Sequence, residues 1–296
     1  MKQRNLPNSG LRVSEIGLSS STWDIVENDA LAQQILSRFI EAGGNLIDLG
    51  FASHSSRIDV PSLLGKAERS KVILSASSGV DRRAVLGQRV NCSRANLLRE
   101  LDSILEHYRI DHLDIWSLGY FDESTPSAEI ADTINFAIAT GKVRYVILRD
   151  HHAWQGAILA SHCSNIVGIA NEYSLVDRGI EEHVLPMSRH LNLGVFAHTP
   201  LARGILAEPH NFTSHSPGFE TYSDQRSHTI ADALSTAAHG LGKSPASVAL
   251  NWVLQRSQIA SALVGVTHPD HIDVGVEATG FALPTAIRTA LDDVSR

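Results

Sequence analysis

The sequence predicts a closed (β/α)8 barrel of the TIM type. Short β-branched or aliphatic runs alternate with longer amphipathic ones, and eight such pairs fit within the 296 residues. No Gly-x-Gly-x-x-Gly follows an early strand, as an open doubly wound sheet would require. Alternation of strand and helix implies right-handed crossovers and therefore a parallel sheet. No linker or low-complexity stretch divides the chain, so residues 1–296 read as one domain.

The elements follow in order. Residues 4–13 read as two short strands about Pro7-Asn8-Ser9-Gly10, an N-terminal β-hairpin. Strand-length runs then fall at 14–19, 45–49, 71–76, 113–118, 143–148, 166–170, 193–198 and 259–264. Between them apolar residues recur at three- and four-residue spacing, the mark of a helix with one buried face. In 29–42 the stripe is Leu31, Ile35, Phe39 and Ile40, stopped by Gly43-Gly44; in 93–108 it is Leu97, Leu101, Leu105 and Tyr108, with Ser93 as N-cap. Further helices are expected at 127–140, 154–162, 180–190, 230–240, 245–256 and 286–294. The segment 207–226 is irregular and rich in His, Ser, Pro and Gly; following the seventh barrel strand, it is expected to form a lid or substrate loop.

Composition narrows the function. The formal net charge is −7, and no Lys/Arg cluster offers the concentrated basic face that phosphate neutralisation needs, which argues against nucleic-acid binding. Cys92 and Cys163 are too few for a disulfide framework and fit a reducing cytosol. No apolar run approaches a membrane span, and Met1-Lys2-Gln3-Arg4-Asn5 lacks the apolar core of a signal peptide. The expectation is a cytoplasmic protein, bound to neither membrane nor nucleic acid, whose partner is a small molecule. Fifteen histidines invite a metal, but there is no His-x-His on the first strand and no His-Glu-x-x-His, so no metal site is expected.

Several stretches then carry a resemblance, in order along nearly the whole chain. They are Ser9-Gly10-Leu11-Arg12-Val13-Ser14, Ile16-Gly17-Leu18 with Trp23, Glu41-Ala42-Gly43-Gly44-Asn45-Leu46-Ile47-Asp48 and Leu64-Gly65-Lys66-Ala67. Later come Arg109-Ile110-Asp111-His112-Leu113-Asp114-Ile115, Gly141-Lys142-Val143-Arg144, Asn171-Glu172-Tyr173-Ser174-Leu175 and Thr199-Pro200-Leu201-Ala202-Arg203-Gly204. Together they resemble the aldo-keto reductase superfamily. The resemblance implies the same barrel, a site at the C-terminal ends of its strands, and NADPH-dependent reduction of aldehydes and ketones by an Asp, a Tyr, a Lys and a His.

Carried over position by position, the resemblance gives a divergent member. Asp48 matches the family's Asp, but the Tyr position is Ser53, the Lys position Ser77 and the His position Gly119. No tyrosine lies between Asp48 and Tyr108, and no lysine between Lys71 and Lys142, so a local misalignment cannot restore either. The Ser-Asn pair that holds the nicotinamide carboxamide aligns with Arg149-Asp150, the Gln of the sixth strand with Asn171, and the aromatic ring that stacks on nicotinamide with His198. Beyond Gly265, Thr267, His271, Val274 and Gly275 replace the adenosine contacts. If a coenzyme binds, the resemblance leaves Thr199, Leu201, Arg203, Gly204 and Gly265 to hold it; the expectation is that none does, NADPH being the alternative.

The candidate site is therefore a remodelled barrel mouth. Asp48, Arg149, Asp150 and His198 are the candidate catalytic residues, and Ser53, His54, Ser77, Tyr120 and Asn171 the candidate substrate contacts. Asp48 without its lysine needs a new cation, and Arg149 is placed to be one; an Arg fork suits an oxyanion, carboxylate or phosphate. His198 has the pKa range of a proton shuttle. Three functions remain open: a non-redox enzyme of the lyase, isomerase, dehydratase or cyclase type; a reductase whose proton donor has moved to Tyr120, His198 or water; and a binding or regulatory protein without chemistry.

Overall fold

Each of the eight apolar runs becomes a parallel strand of one closed barrel. The computed structural model describes residues 1–26, 28–51, 58–81, 84, 89–213 and 219–296. Strands β1 (Gln3–Asn5) and β2 (Arg12–Ser14) form the antiparallel hairpin. The barrel strands are β3 (Ile16–Ser19), β4 (Leu46–Phe51), β5 (Ile73–Ser78), β6 (Leu113–Gly119), β7 (Val143–Arg149), β8 (Ile166–Glu172), β9 (Gly194–His198) and β10 (Ile259–Gly265). They pair in chain order and close through β10 on β3. Several strands run one or two residues past the apolar run that marks them, so Arg149, assigned from sequence to a strand end, is itself the last rung of β7, and Asn171 is the last but one of β8, before Glu172.

The hairpin closes the N-terminal end. Leu6 and Val13 are buried with Leu46, Ile115, Ile147, Val167, Phe196 and Leu263, which line the barrel interior. Gly194 lets Leu6 in, since a Cβ there would lie 2.9 Å from Leu6 Cγ. Arg4 fastens the hairpin to the barrel rim, donating to Glu15 Oε1 at 2.8 Å, Ile259 O at 2.6 Å and Leu254 O at 2.7 Å. With that end closed, the C-terminal ends of the strands are left for chemistry.

The helices cover the outer faces of the strands; in Asp29–Glu41 the stripe read from sequence is met at Ile35 and Phe39, while Leu31 and Ile40 are half-buried at its edges and Ala32 and Leu36 complete the buried face. Three differences have physical reasons. Ser93 occupies the N-cap position of helix Arg94–Tyr108, but its hydroxyl donates to Asn91 Oδ1 at 2.7 Å, and Glu129 Oε1 accepts from Arg94 N instead. The run expected at 180–190 divides into a 3-10 turn, Gly179–Glu181, and a helix, Val184–Leu191. Helix Asp270–Gly280 was not expected: its inner face is Ile272, Gly275, Ala278 and Thr279, small residues that leave no apolar stripe to read. Segment 207–226 holds a 3-10 turn (Pro209–Asn211), a short helix (Phe219–Tyr222) and the start of helix Gln225–Leu241, while residues 214–218 lie outside the described residues. Among the described residues no helix is long and apolar enough to cross a membrane.

Asn251, 5% exposed, holds the end of Asp270–Gly280 by donating from Nδ2 to Ala278 O and Phe281 O, both at 2.8 Å. Replacing it leaves two interior carbonyls without donors. Asn251→Ala is expected to lower the stability measured by urea unfolding by about 2 kcal/mol, with the far-ultraviolet circular dichroism of the native state unchanged.

Candidate functional site

At the C-terminal mouth the chain turns abruptly after each of four strands. Gly79, Tyr120, Asp150 and Thr199, the first residues past β5, β6, β7 and β9, all have positive φ, from 54° at Thr199 to 103° at Gly79. The left-handed conformation is open to glycine and tolerated by Asp, but uncommon for Tyr and rare for β-branched Thr. Backbone bonds lock the turns together: Tyr120 N donates to Arg149 O, Asp150 N to Ala170 O, and Tyr173 N to His198 O.

One cation organises this mouth. Arg149 ends β7 and reaches across the barrel to β4, where its Nη1 meets Asp48 Oδ2 at 3.1 Å. Its Nε lies 3.8 Å from Asp150 Oδ2, and its guanidinium stands over the Phe51 ring at 5.7 Å. Burial pushes the Arg149 pKa down, but the carboxylates of Asp48 and Asp150 outweigh it and hold the group charged. Asp48 is 1% exposed; its Oδ1 has no partner among the described residues.

Asp150 links this pair to the imidazole. His198 Nε2 lies 2.6 Å from Asp150 Oδ1, and because a carboxylate only accepts, the proton of the neutral ring sits on Nε2. His198 Nδ1 faces Thr199 Oγ1 at 3.2 Å. Burial would raise the Asp150 pKa, yet the hydrogen bond from His198, with the charges of His198, Arg149 and His151, holds it below the usual carboxylate range.

Asp48, Arg149, Asp150 and His198 thus form one connected chain. Asn171 stands beside it, donating from Nδ2 to His151 O at 3.1 Å and leaving Oδ1 buried without a partner among the described residues. Tyr120 is half exposed and stacks on Phe51, ring centroids 6.0 Å apart; burial, then the Asp150 carboxylate, raises its phenol pKa. Ser77 is buried on β5, its Oγ likewise without a partner among the described residues. Ser53 and His54 lie outside the described residues. Thr199, Leu201, Arg203 and Gly204 fall in the turn after β9, where Arg203 and Gly204 also have positive φ, and Gly265 ends β10 against Thr22. Among the described residues no group of three or more His, Cys, Asp or Glu side chains could hold a metal ion.

Two members of this site carry no signal in the sequence. Phe51, at the end of β4, lays its ring where a Cβ on Gly119 would stand. Tyr222, in the segment after β9, donates its hydroxyl to Glu172 at the end of β8 and so ties that segment to the mouth. Both contacts join residues far apart in the chain, and neither residue type is unusual for its element. A cavity of about 690 Å³ lies beyond Tyr222, lined in part by Arg178, Asp224 and Arg226.

A sequence model described as the Aldo/keto reductase family matches residues 13–296. The chain belongs to that family. Among its curated relatives are "Uncharacterized oxidoreductase YrpG" of Bacillus subtilis (strain 168), 24% identical over 99% of this chain and 96% of the relative, and "Protein tas" of Escherichia coli (strain K12), 25% identical over 99% and 97%. "Probable aldo-keto reductase 1" of Glycine max is 23% identical over 94% of this chain and 84% of the relative. The matched residues take in the whole barrel and the turn after β9.

Two outcomes test the electrostatics of this aldo/keto reductase mouth. Asp48→Ala strands a buried guanidinium and is expected to cost about 3 kcal/mol in urea unfolding, while Asp48→Ala combined with Arg149→Met recovers part of the loss. His151 is 2% exposed, donates from Nδ1 to Arg149 O at 2.8 Å, and burial lowers its pKa from 6.5 to about 4. Between those values the unfolded chain binds the proton more readily, so the contribution of the neutral ring is full above pH 6.5 and is lost as pH falls toward 4. The Asp150 contribution, from a depressed carboxyl, falls away further into acid. Urea midpoints measured across this range are expected to drop by an amount equivalent to about 3 kcal/mol, and His151→Asn flattens that part of the profile.

Proposed function

We propose that this protein carries out acid–base chemistry without redox on a small carbonyl compound, of the lyase, isomerase, dehydratase or cyclase type, at the C-terminal mouth of its barrel. The observation that carries this reading is the 2.6 Å hydrogen bond between His198 Nε2 and Asp150 Oδ1, set beside a cation that Asp48 holds in place. Asp150 fixes the ring and stabilises the imidazolium that forms when His198 takes a proton. Arg149 faces the mouth as a fixed positive charge for the oxygen on which negative charge develops. Asn171 Oδ1, buried and unpartnered, is an acceptor for a substrate hydroxyl. In this reading the positions of the family's Tyr, Lys and His, here Ser53, Ser77 and Gly119, have been given up together.

In this reading the mouth takes no nicotinamide coenzyme. Asp150 and His198, at the carboxamide and ring-stacking positions of the resemblance, are committed to each other, and the Asn171 amide nitrogen to His151 O. Helix Asp270–Gly280 opens with Asp270 and Asp273, anions at the end where the resemblance puts an adenosine 2′-phosphate, and burial holds His271 there toward its neutral form.

A reductase with a relocated proton donor is the second reading, favoured by the printed names of the relatives and by the retained turn at 199–204. Against Tyr120 as that donor stands its raised phenol pKa, the reverse of what protonation of an alkoxide near neutral pH requires.

Hydroxyacetone, dihydroxyacetone and pyruvate incubated with the protein in D2O separate the two readings. Proton NMR is expected to record loss of α-protons from at least one compound without coenzyme, slowed roughly 100-fold or more by Asp150→Ala or His198→Ala. Consumption of NADPH with reduction of the same compounds, or α-proton loss from none of them, would overturn the proposal.

A further inference from the structure

Both ring nitrogens of His198 are engaged, and this decides where a proton enters. Nε2 is covered by Asp150 at 2.6 Å, so only Nδ1 offers a lone pair, and the hydroxyl of Thr199 lies against it at 3.2 Å. In the neutral ring Nδ1 accepts, so Thr199 Oγ1–H donates. The His198 side chain is 14% exposed, and Thr199 is partly open at the mouth. Thr199 is held there by its backbone. Its φ is 54°, rare for a β-branched residue, and its carbonyl accepts from Ala202 N at 2.9 Å to close the turn.

We propose that Thr199 is a catalytic residue of this site, the hydroxyl through which His198 exchanges protons with a bound α-hydroxy or α-oxo carbonyl compound. The inference rests on the acid–base reading above and names the atom that touches the substrate. When the carbon acid ionises, its C–H bond breaks and the proton goes to Thr199 Oγ1, while Thr199's own proton passes to His198 Nδ1. The electron pair stays on the substrate as an enolate facing Arg149, and the imidazolium remains paired with Asp150. Return of the protons along the same atoms re-forms the C–H bond, and nothing is oxidised or reduced. In D2O, exchange of the imidazolium with solvent delivers deuterium to the carbon.

Three variants test the assignment. Thr199→Val keeps the β-branched shape at the same φ and removes only the hydroxyl; Thr199→Ser restores a hydroxyl in a smaller side chain; His198→Ala removes the ring. With hydroxyacetone as the probe, Thr199→Val is expected to slow α-proton exchange roughly 100-fold, and Thr199→Ser to recover most of the rate. Nitrogen-15 NMR of the unliganded protein supplies a second readout: the His198 Nδ1 resonance moves in Thr199→Val and returns in Thr199→Ser. Exchange in Thr199→Val equal to that of the unsubstituted protein, with His198→Ala inactive, overturns the role of Thr199 and leaves the acid–base reading standing. An unmoved Nδ1 resonance overturns the hydrogen bond itself, and absence of exchange in the unsubstituted protein removes both proposals together.

Discussion

The mouth of this barrel depends on one buried cation. Arg149 and Asp48 stand on strands separated by β5 and β6, so their ion pair spans the open end rather than joining neighbours. A buried pair of this kind contributes little net stability against an apolar replacement, because desolvation offsets most of the attraction. Its effect is geometric. With Asp48 as its far anchor, the guanidinium lies over Phe51 and beside Asp150, and Asp150 in turn fixes the tautomer of His198. Asp48, Phe51, Asp150 and, through Asp150, His198 are thereby gathered about one charge.

An arginine at the centre of the mouth differs in kind from a lysine. A lysine can give up its proton when desolvated, whereas a guanidinium stays charged and presents several donors in a plane. Arg149, held between Asp48 and Asp150, is therefore a fixed positive charge at the mouth. The scarcity of lysine, five in 296 residues, acquires a location from the barrel: none falls between Val72 and Gly141, the stretch that carries β5 and β6.

The barrel was legible because its signals are local. Short β-branched or aliphatic runs, separated by stretches of three-to-four spacing, placed every barrel strand, and a run such as 143–148 needed only one residue added at its C-terminal end. Partnership of Asp48 with Arg149 followed from charge, since a buried carboxylate in this fold requires a cation and strand ends supply few. Helix Asp270–Gly280 escaped because Gly275 and Ala278 bury without an apolar stripe, the helix packing closely instead of greasily. Phe51 over Gly119, and the threonine hydroxyl against its neighbour's ring, depend on where bulges and left-handed turns aim side chains. A bulge lies in the β4–β5 pairing between Asp48 and Phe51, and nothing in the letters of the sequence announces it.

The packing of Phe51 across Gly119 also constrains how such a sequence can change with time. Any side chain at position 119 must displace that ring, which in turn stacks on Tyr120 and carries the guanidinium above it. A substitution at 119 therefore meets a filled volume, and a larger residue is accommodated there only if the ring at 51 moves or shrinks, which in turn uncovers Arg149. Positions 51 and 119 are thus constrained to change together.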